Sequence, residues 1–296
     1  MLLQMDNVDK YYGSFHAVKG LSMLLEEGKV YGFLGRNGAG KTTTLRMIMD
    51  IYYPEKGEIK RFFKPDEVSY LPEERGLYPK MTVTETMDFF GEVKGMSRKN
   101  IRSVSPRWLE RFDLAEWTDK KVEALSKGMQ QKLQFIITAM NNPKFLILDE
   151  PFSGLDPLNI QIFKDEIVSL MRQGTTVLFS THIIEHAENI CNHVTIIKEG
   201  EKVIDGPITE IKEKYGKMNL FIRYSGDGAQ LKNGMEQKID DYGSYAEVIL
   251  KDGKAYAEYL RRISQQLDIS EFRVDLPSLK SVFLDAVNTQ EEENEK

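Results

Sequence analysis

The stretch Gly35-Arg36-Asn37-Gly38-Ala39-Gly40-Lys41-Thr42 constrains this chain more than any other feature. It follows the β-rich run KVYGFLG and leads into TTTLRMIMDIY, whose apolar spacing predicts a helix. Strand, glycine loop and helix in that order form one βα unit, and GxxxxGK[ST] in that setting reads as a phosphate-binding loop. The reason is donor density. A phosphate chain needs many N–H groups converging on it, so side chains must be absent where the backbone wraps. Gly35, Gly38 and Gly40 meet that need, and a helix beginning near Lys41 points its positive end at the same oxygens. Lys41 is expected to reach the terminal phosphates and Thr42 to hold Mg²⁺.

Two further buried strands are predicted, KFLILDEP and TTVLFSTH, with the helical stretch DPLNIQIFKDEIVSLMRQG between them. Residues 1 to about 35 read as short strands, and the later alternation predicts an α/β core with a mostly parallel sheet flanked by helices, carrying a helical insertion over about residues 76 to 140. The apolar run Phe145–Leu148 ends in Asp149 and Glu150. Two carboxylates at the end of a buried strand suit a cation and a proton transfer: Asp149 beside Mg²⁺, Glu150 as the base that polarises the attacking water. Taken without the glycine loop, the pair also reads as helix-capping acids. VTIIKEGEKVIDG predicts a strand pair turning at Glu199-Gly200, and PITEIKEKYG a helix that closes the first domain near residue 216. Residues 217–289 read as a small α+β appendage with strands NLFIRY, YAEVIL and EFRVDLP and helices AYAEYLRRISQQL and SLKSVFLDAV; residues 290–296 read as a solvated acidic tail.

Composition narrows the function classes. A net charge of −6 offers no global field for nucleic acid or anionic lipid, so phosphate binding must be local. No apolar run approaches the roughly 20 residues that cross a bilayer. Asp6 and Asp9 stand where a secretory signal would carry a basic start and an apolar core, which leads us to expect a cytoplasmic chain. The single cysteine, Cys191, has no metal-ligand spacing around it and is expected to be a small buried thiol.

Other motifs complete a series. Leu125-Ser126-Lys127-Gly128-Met129-Gln130 stands one helix before the carboxylate strand and resembles the LSGGQ signature of ABC ATPases. Ser153-Gly154-Leu155-Asp156 resembles their D-loop, Thr181-His182 their switch histidine, and Tyr12, ahead of Gly13, the aromatic that stacks on adenine. Neighbouring Tyr11 competes for that last role. In order and spacing the series resembles ATP-binding subunits of ABC transporters over about residues 1 to 215, in the style of bacterial drug- or ion-export subunits such as sodium-extrusion ATPases. The resemblance implies ATP and Mg²⁺ as ligands, with Tyr12, Gly35, Asn37, Gly38, Ala39, Gly40, Lys41, Thr42 and Thr43 on the nucleotide. It implies catalysis by Glu150, His182 and Lys41, and Mg²⁺ contacts from Thr42, Asp149 and Glu73. It also implies a head-to-tail dimer, most simply a homodimer, in which Ser126 and Gly128 serve the partner's ATP, and it counts Asp156 among the nucleotide-binding residues. The engine would work under a separate membrane permease, at the inner face of the cell membrane, with no span of its own and no nucleic-acid partner. Taken singly, Ser126 is an ordinary helix cap and His182 an ordinary strand-end histidine.

There are departures. Lys127 and Met129 replace the usual Gly and Gln of the signature, and Glu73 stands where the family places its Q-loop glutamine after strand SYLP. The segment from Pro54 to Tyr70 is short for the antiparallel part of such a domain. Leu77, Tyr78 and Met81 offer either a cleft for a permease helix or packing under the insertion. The rival class, ABC ATPases acting on nucleic acid or ribosomes, calls for tandem domains, long arms or basic surfaces that this chain lacks. A regulatory module without turnover is argued against by Glu150.

Overall fold

The computed structural model describes residues 1–215, 219–253, 255–275 and 278–282. The chain divides into two compact units, Met1–Pro207 and Ile208–Lys296.

The first unit is built on two sheets. β1 (Leu3–Tyr12), β2 (Phe15–Leu25) and β4 (Lys56–Arg61) form an antiparallel three-stranded sheet with β1 at its centre. The second sheet has six strands in the order β5-β6-β7-β3-β8-β9: β5 (Val68–Leu71), β6 (Phe145–Asp149), β7 (Thr176–Thr181), β3 (Val30–Leu34), β8 (His193–Lys198) and β9 (Glu201–Pro207). All neighbours run parallel except the β8–β9 pair, which turns at Glu199-Gly200. β3, β6 and β7 are buried along their whole length, as expected for strands covered on both faces.

β4 carries KGEIKR, with no apolar alternation to announce it; pairing with β1 holds it extended. It supplies the antiparallel part that seemed short in sequence.

Helices cover the six-stranded sheet and build the insertion. α1 (Lys41–Ile48) follows the glycine loop. α2 (Val83–Val93) starts with a capping box, Thr82 and Glu85 exchanging hydrogen bonds with each other's backbone N–H. α3 (Arg98–Arg111) starts after Ser97, whose hydroxyl caps it by accepting from the Asn100 N–H at 3.2 Å. Pro106 therefore lies inside the helix rather than at its start. α4 (Lys127–Ala139), α5 (Pro157–Arg172) and the short α6 (Glu185–Glu188) follow. An aromatic column joins insertion to sheet: Phe112 and Phe135 meet Phe163 of α5 at 5.3 and 4.7 Å, and Phe152 meets Phe179 of β7 at 5.5 Å. Cys191 is buried against Gly32 of β3, and burial pushes its thiol above the ordinary range.

The second unit opens with α7 (Ile208–Tyr215). This helix was expected to close the first domain; it groups instead with the residues that follow it. Four antiparallel strands take the order β11-β12-β10-β13, with β10 (Asn219–Ser225), β11 (Glu236–Asp241), β12 (Tyr245–Leu250) and β13 (Asp268–Asp275). Leu220, Ile222 and Tyr224 of β10 and Ala246, Val248 and Leu250 of β12 bury one face against α8 (Tyr256–Ile263), whose Tyr259 is fully buried. The two outer strands are the charged ones, with Glu236, Lys238, Asp240 and Asp241 on β11 and Asp268, Glu271, Arg273 and Asp275 on β13. The end of the predicted helix SLKSVFLDAV and the acidic tail lie outside the described residues.

Candidate functional site

The site forms where β3, β6 and β7 end side by side. The loop after β3 keeps its shape through close backbone approach. A Cβ on Gly35 would stand 2.6 Å from the Ile197 carbonyl of β8, and one on Gly40 would stand 2.5 Å from the Ala17 carbonyl of β2. Gly40 also has φ +102°, outside the reach of ordinary side-chain-bearing residues. Gly38, at φ +82°, needs the left-handed conformation but has open space around it. A main-chain clasp completes the loop: the Lys19 N–H donates to the Gly200 carbonyl at 2.9 Å, and the Gly200 N–H donates to the Ala39 carbonyl at 3.1 Å. Thr42 and Thr43 are half-buried in the first turn of α1, and Asn37 is exposed at the tip.

Lys41 is buried, and its ammonium donates to the Gly35 carbonyl at 2.8 Å and the Arg36 carbonyl at 3.3 Å. The same Nζ lies 3.2 Å from Oε1 of Glu150, an ion pair outside hydrogen-bond geometry. The other oxygen of Glu150, Oε2, accepts from Nδ1 of His182 at 3.1 Å. One buried carboxylate thus touches both the loop lysine and the strand-end histidine. Glu150 reaches them from φ +48°, a left-handed turn that lifts its side chain off the end of β6.

Asp149 is fully buried, with Oδ1 accepting from the Ser180 hydroxyl at 2.5 Å and Oδ2 from the Tyr70 hydroxyl at 3.3 Å. The donor set of Thr42 and Asp149 is all oxygen, as a hard divalent cation requires. Among the described residues no three His, Cys, Asp or Glu are arranged to cage a metal by themselves.

Beside Glu150 and His182 lies a cavity of about 270 Å³, lined also by Ser153, Gly154 and His186. The His186 ring packs edge-on against Phe152 at 4.8 Å, and burial, helped by the Lys164 charge, holds it below the ordinary histidine range. Asp156 caps α5 by accepting from the Asn159 N–H at 3.0 Å; this bond and the Asn159 side chain hold its carboxyl below the usual range. Ser126 caps α4, accepting from the Met129 N–H at 3.2 Å, and Gly128 faces Gly154 and Leu155 of the same chain.

Tyr12 is 45% exposed, edge-on to Tyr52 at 6.1 Å with the Lys10 ammonium over its ring, so one face can take a base. Tyr11 is engaged, stacked on His16 at 4.0 Å. Glu73 is exposed in the loop after β5. That loop and the one after β6 are both gripped by α4. The Gln134 amide donates to the carbonyls of Pro72 and Glu74, both at 3.2 Å, and the Gln131 amide donates to the Pro151 carbonyl at 3.1 Å. Sequence reasoning missed Gln131, Gln134, Ser180 and Tyr70. The signal for the two glutamines was there, since polar residues at buried positions of a helix need partners.

Both units resemble known proteins. The family profile described as ABC transporter matches residues 18–153, and the one described as ATP-binding protein DrrA1-3-like, C-terminal domain, matches residues 206–287. The chain is 38% identical over 295 residues to the ABC transporter ATP-binding protein YhaQ of Bacillus subtilis (strain 168), covering 97% of this chain and 98% of that protein. It is 38% identical over 213 residues to Nod factor export ATP-binding protein I of Paraburkholderia xenovorans (strain LB400), covering 69% of this chain and 70% of the other. A solved structure of an ATP-binding subunit of an ABC transporter superposes with TM-score 0.68 at 27% identity, over 73% of this chain and 93% of that one.

Proposed function

Because the chain belongs to the ATP-binding proteins of ABC transporters, we propose that it hydrolyses ATP as a dimer and so powers export through a separate membrane permease. The observation that carries this reading is the single Glu150 carboxylate set between Lys41 and His182, at 3.2 and 3.1 Å, where β3, β6 and β7 end.

In this reading the triphosphate lies along the loop, accepting from loop N–H groups that are not already bonded, as those of Gly35 and Ala39 are, and from the Lys41 ammonium in place of the loop's own carbonyls. Tyr12 stacks on adenine. Mg²⁺, held by Thr42 and Asp149 with Glu73 within reach of its water shell, would neutralise charge on the phosphate oxygens. Glu150 accepts a proton from a water whose oxygen attacks the γ-phosphorus. The bond to the bridging oxygen breaks, giving ADP and inorganic phosphate. His182 orients Glu150 and the γ-phosphate together. Ser126 and Gly128 at the start of α4, with Asp156, would close over the partner's nucleotide.

For the permease, the proposed contact is the aromatic patch of Tyr78 and Phe89, 51% and 40% exposed and edge-on at 5.5 Å, with Leu77 and Met81 half-buried beside it. No helix among the described residues is long and apolar enough to cross a membrane. The place proposed for the chain is the cytoplasmic face of the membrane, held there by the permease.

The test is gel filtration of Glu150→Gln protein with and without ATP and Mg²⁺. Removing the base is expected to trap the closed dimer and shift the protein from monomer to dimer on adding nucleotide. Tight nucleotide binding with no dimer, in the presence of the permease as well as without it, would refute the composite site.

A further inference from the structure

Asp149 is held from both sides by hydroxyls, one on each oxygen. The Ser180 oxygen accepts the backbone N–H of Glu150 at 3.0 Å; an N–H only donates, so the serine proton goes to Asp149 Oδ1. The Tyr70 hydroxyl donates to Asp149 Oδ2 at 3.3 Å, since a carboxylate only accepts. Both arrangements depend on strand register, Ser180 standing opposite Asp149 on β7 and Tyr70 opposite Ile147 on β5.

We propose that Tyr70 is a positioning residue that fixes the plane of the Asp149 carboxylate and thereby the divalent cation that accompanies ATP. This rests on the reading of Asp149 as the cation-side carboxylate. With Ser180 alone on Oδ1, the carboxylate is free to swing about its last torsion, which is broad for sp³–sp² bonds. With both oxygens bonded, it is fixed. The remaining lone pairs of each oxygen then point to defined places, as outer partners do for metal-ligating groups generally.

The experiment uses full-length Tyr70→Phe, which keeps the ring in the core and removes only the oxygen. Binding of a fluorescent ATP analogue is measured in EDTA and then across a Mg²⁺ titration. The expected result is unchanged affinity in EDTA and a Mg²⁺ midpoint raised about tenfold or more, the usual effect of losing an outer partner of a metal ligand. Ser180→Ala, which removes the other hydroxyl from the carboxylate, is expected to move the midpoint the same way and serves if Tyr70→Phe lowers the thermal midpoint. A Mg²⁺ midpoint within twofold of wild type in both variants overturns the proposal while leaving the ATP-binding reading intact. Absence of analogue binding by the wild-type chain overturns both.

Discussion

Gly38 and Gly40 both adopt positive φ, yet alanine should affect them unequally. At Gly38 a Cβ meets nothing within 4 Å, so Gly38→Ala incurs only the strain of a side-chain-bearing residue at φ +82°, about 1–2 kcal/mol. At Gly40 the same strain is joined by a contact 2.5 Å from the Ala17 carbonyl. Reaching ordinary contact needs a shift of roughly 1 Å between loop and β2. The two bonds of the clasp through Gly200, at 2.9 and 3.1 Å, cannot follow such a shift, and each is worth about 1 kcal/mol. Gly40→Ala should therefore cost about 2 kcal/mol more than Gly38→Ala. The assay is urea unfolding without nucleotide, followed by tryptophan fluorescence. Both tryptophans, Trp108 and Trp117, lie in the first unit, so the signal reports on that unit. With a slope of about 2 kcal/mol per molar urea, the midpoints should separate by about 1 M. Equal midpoints for the two variants would refute the argument that the Ala17 carbonyl fixes the loop.

Lys94 donates to the Thr138 carbonyl at 2.7 Å and to the Ser69 hydroxyl at 3.1 Å, and burial pushes it down to about 7. Below pH 7 folded and unfolded chains both carry the proton; above it only the unfolded chain does. Stability should therefore rise from pH 7 to 9 by about 1 kcal/mol per pH unit from this group, and Lys94→Met should flatten that slope in the same urea assay. Phe163 is fully buried where Phe112 and Phe135 converge; Phe163→Ala should cost about 3–5 kcal/mol, and a loss under 1 kcal/mol would mean the aromatic column is not a single packed unit. Gln134→Ala removes the donor to Pro72 and Glu74. It should loosen the loop that bears Glu73, read as faster proteolysis near Arg75 with the unfolding midpoint lowered by less than that of Phe163→Ala.

What the sequence disclosed was what spacing along one strand or one loop determines. The glycine loop, the Asp149–Glu150 pair and the buried runs of β3, β6 and β7 all fall where local pattern put them. What it did not disclose depends on neighbours across the sheet. KGEIKR and EQKIDD carry no apolar alternation, and become β4 and β11 through pairing with β1 and β12. Ser180 and Tyr70 become partners of Asp149 only when β7 and β5 flank β6. Tyr11 and Tyr12 are equivalent in sequence; the stack of Tyr11 on His16 separates them.

The charged outer strands of the second unit have a consequence for life in a crowded cell. A sheet rim exposes a row of unpaired N–H and C=O groups, which any passing extended segment can extend into an aggregate. On β11 and β13 that row is interleaved with Glu236, Lys238, Asp240, Glu271, Arg273 and Asp275, while the fully buried apolar side chains of the sheet lie on the inner strands and Ile239, Ile269, Phe272 and Val274 are only partly buried. A strand arriving from a nascent or damaged chain would have to bury those charges to pair. The unit can therefore accumulate beside unfolded polypeptide without templating its polymerisation, and substituting Lys238 and Arg273 with valine is the change that would remove this protection.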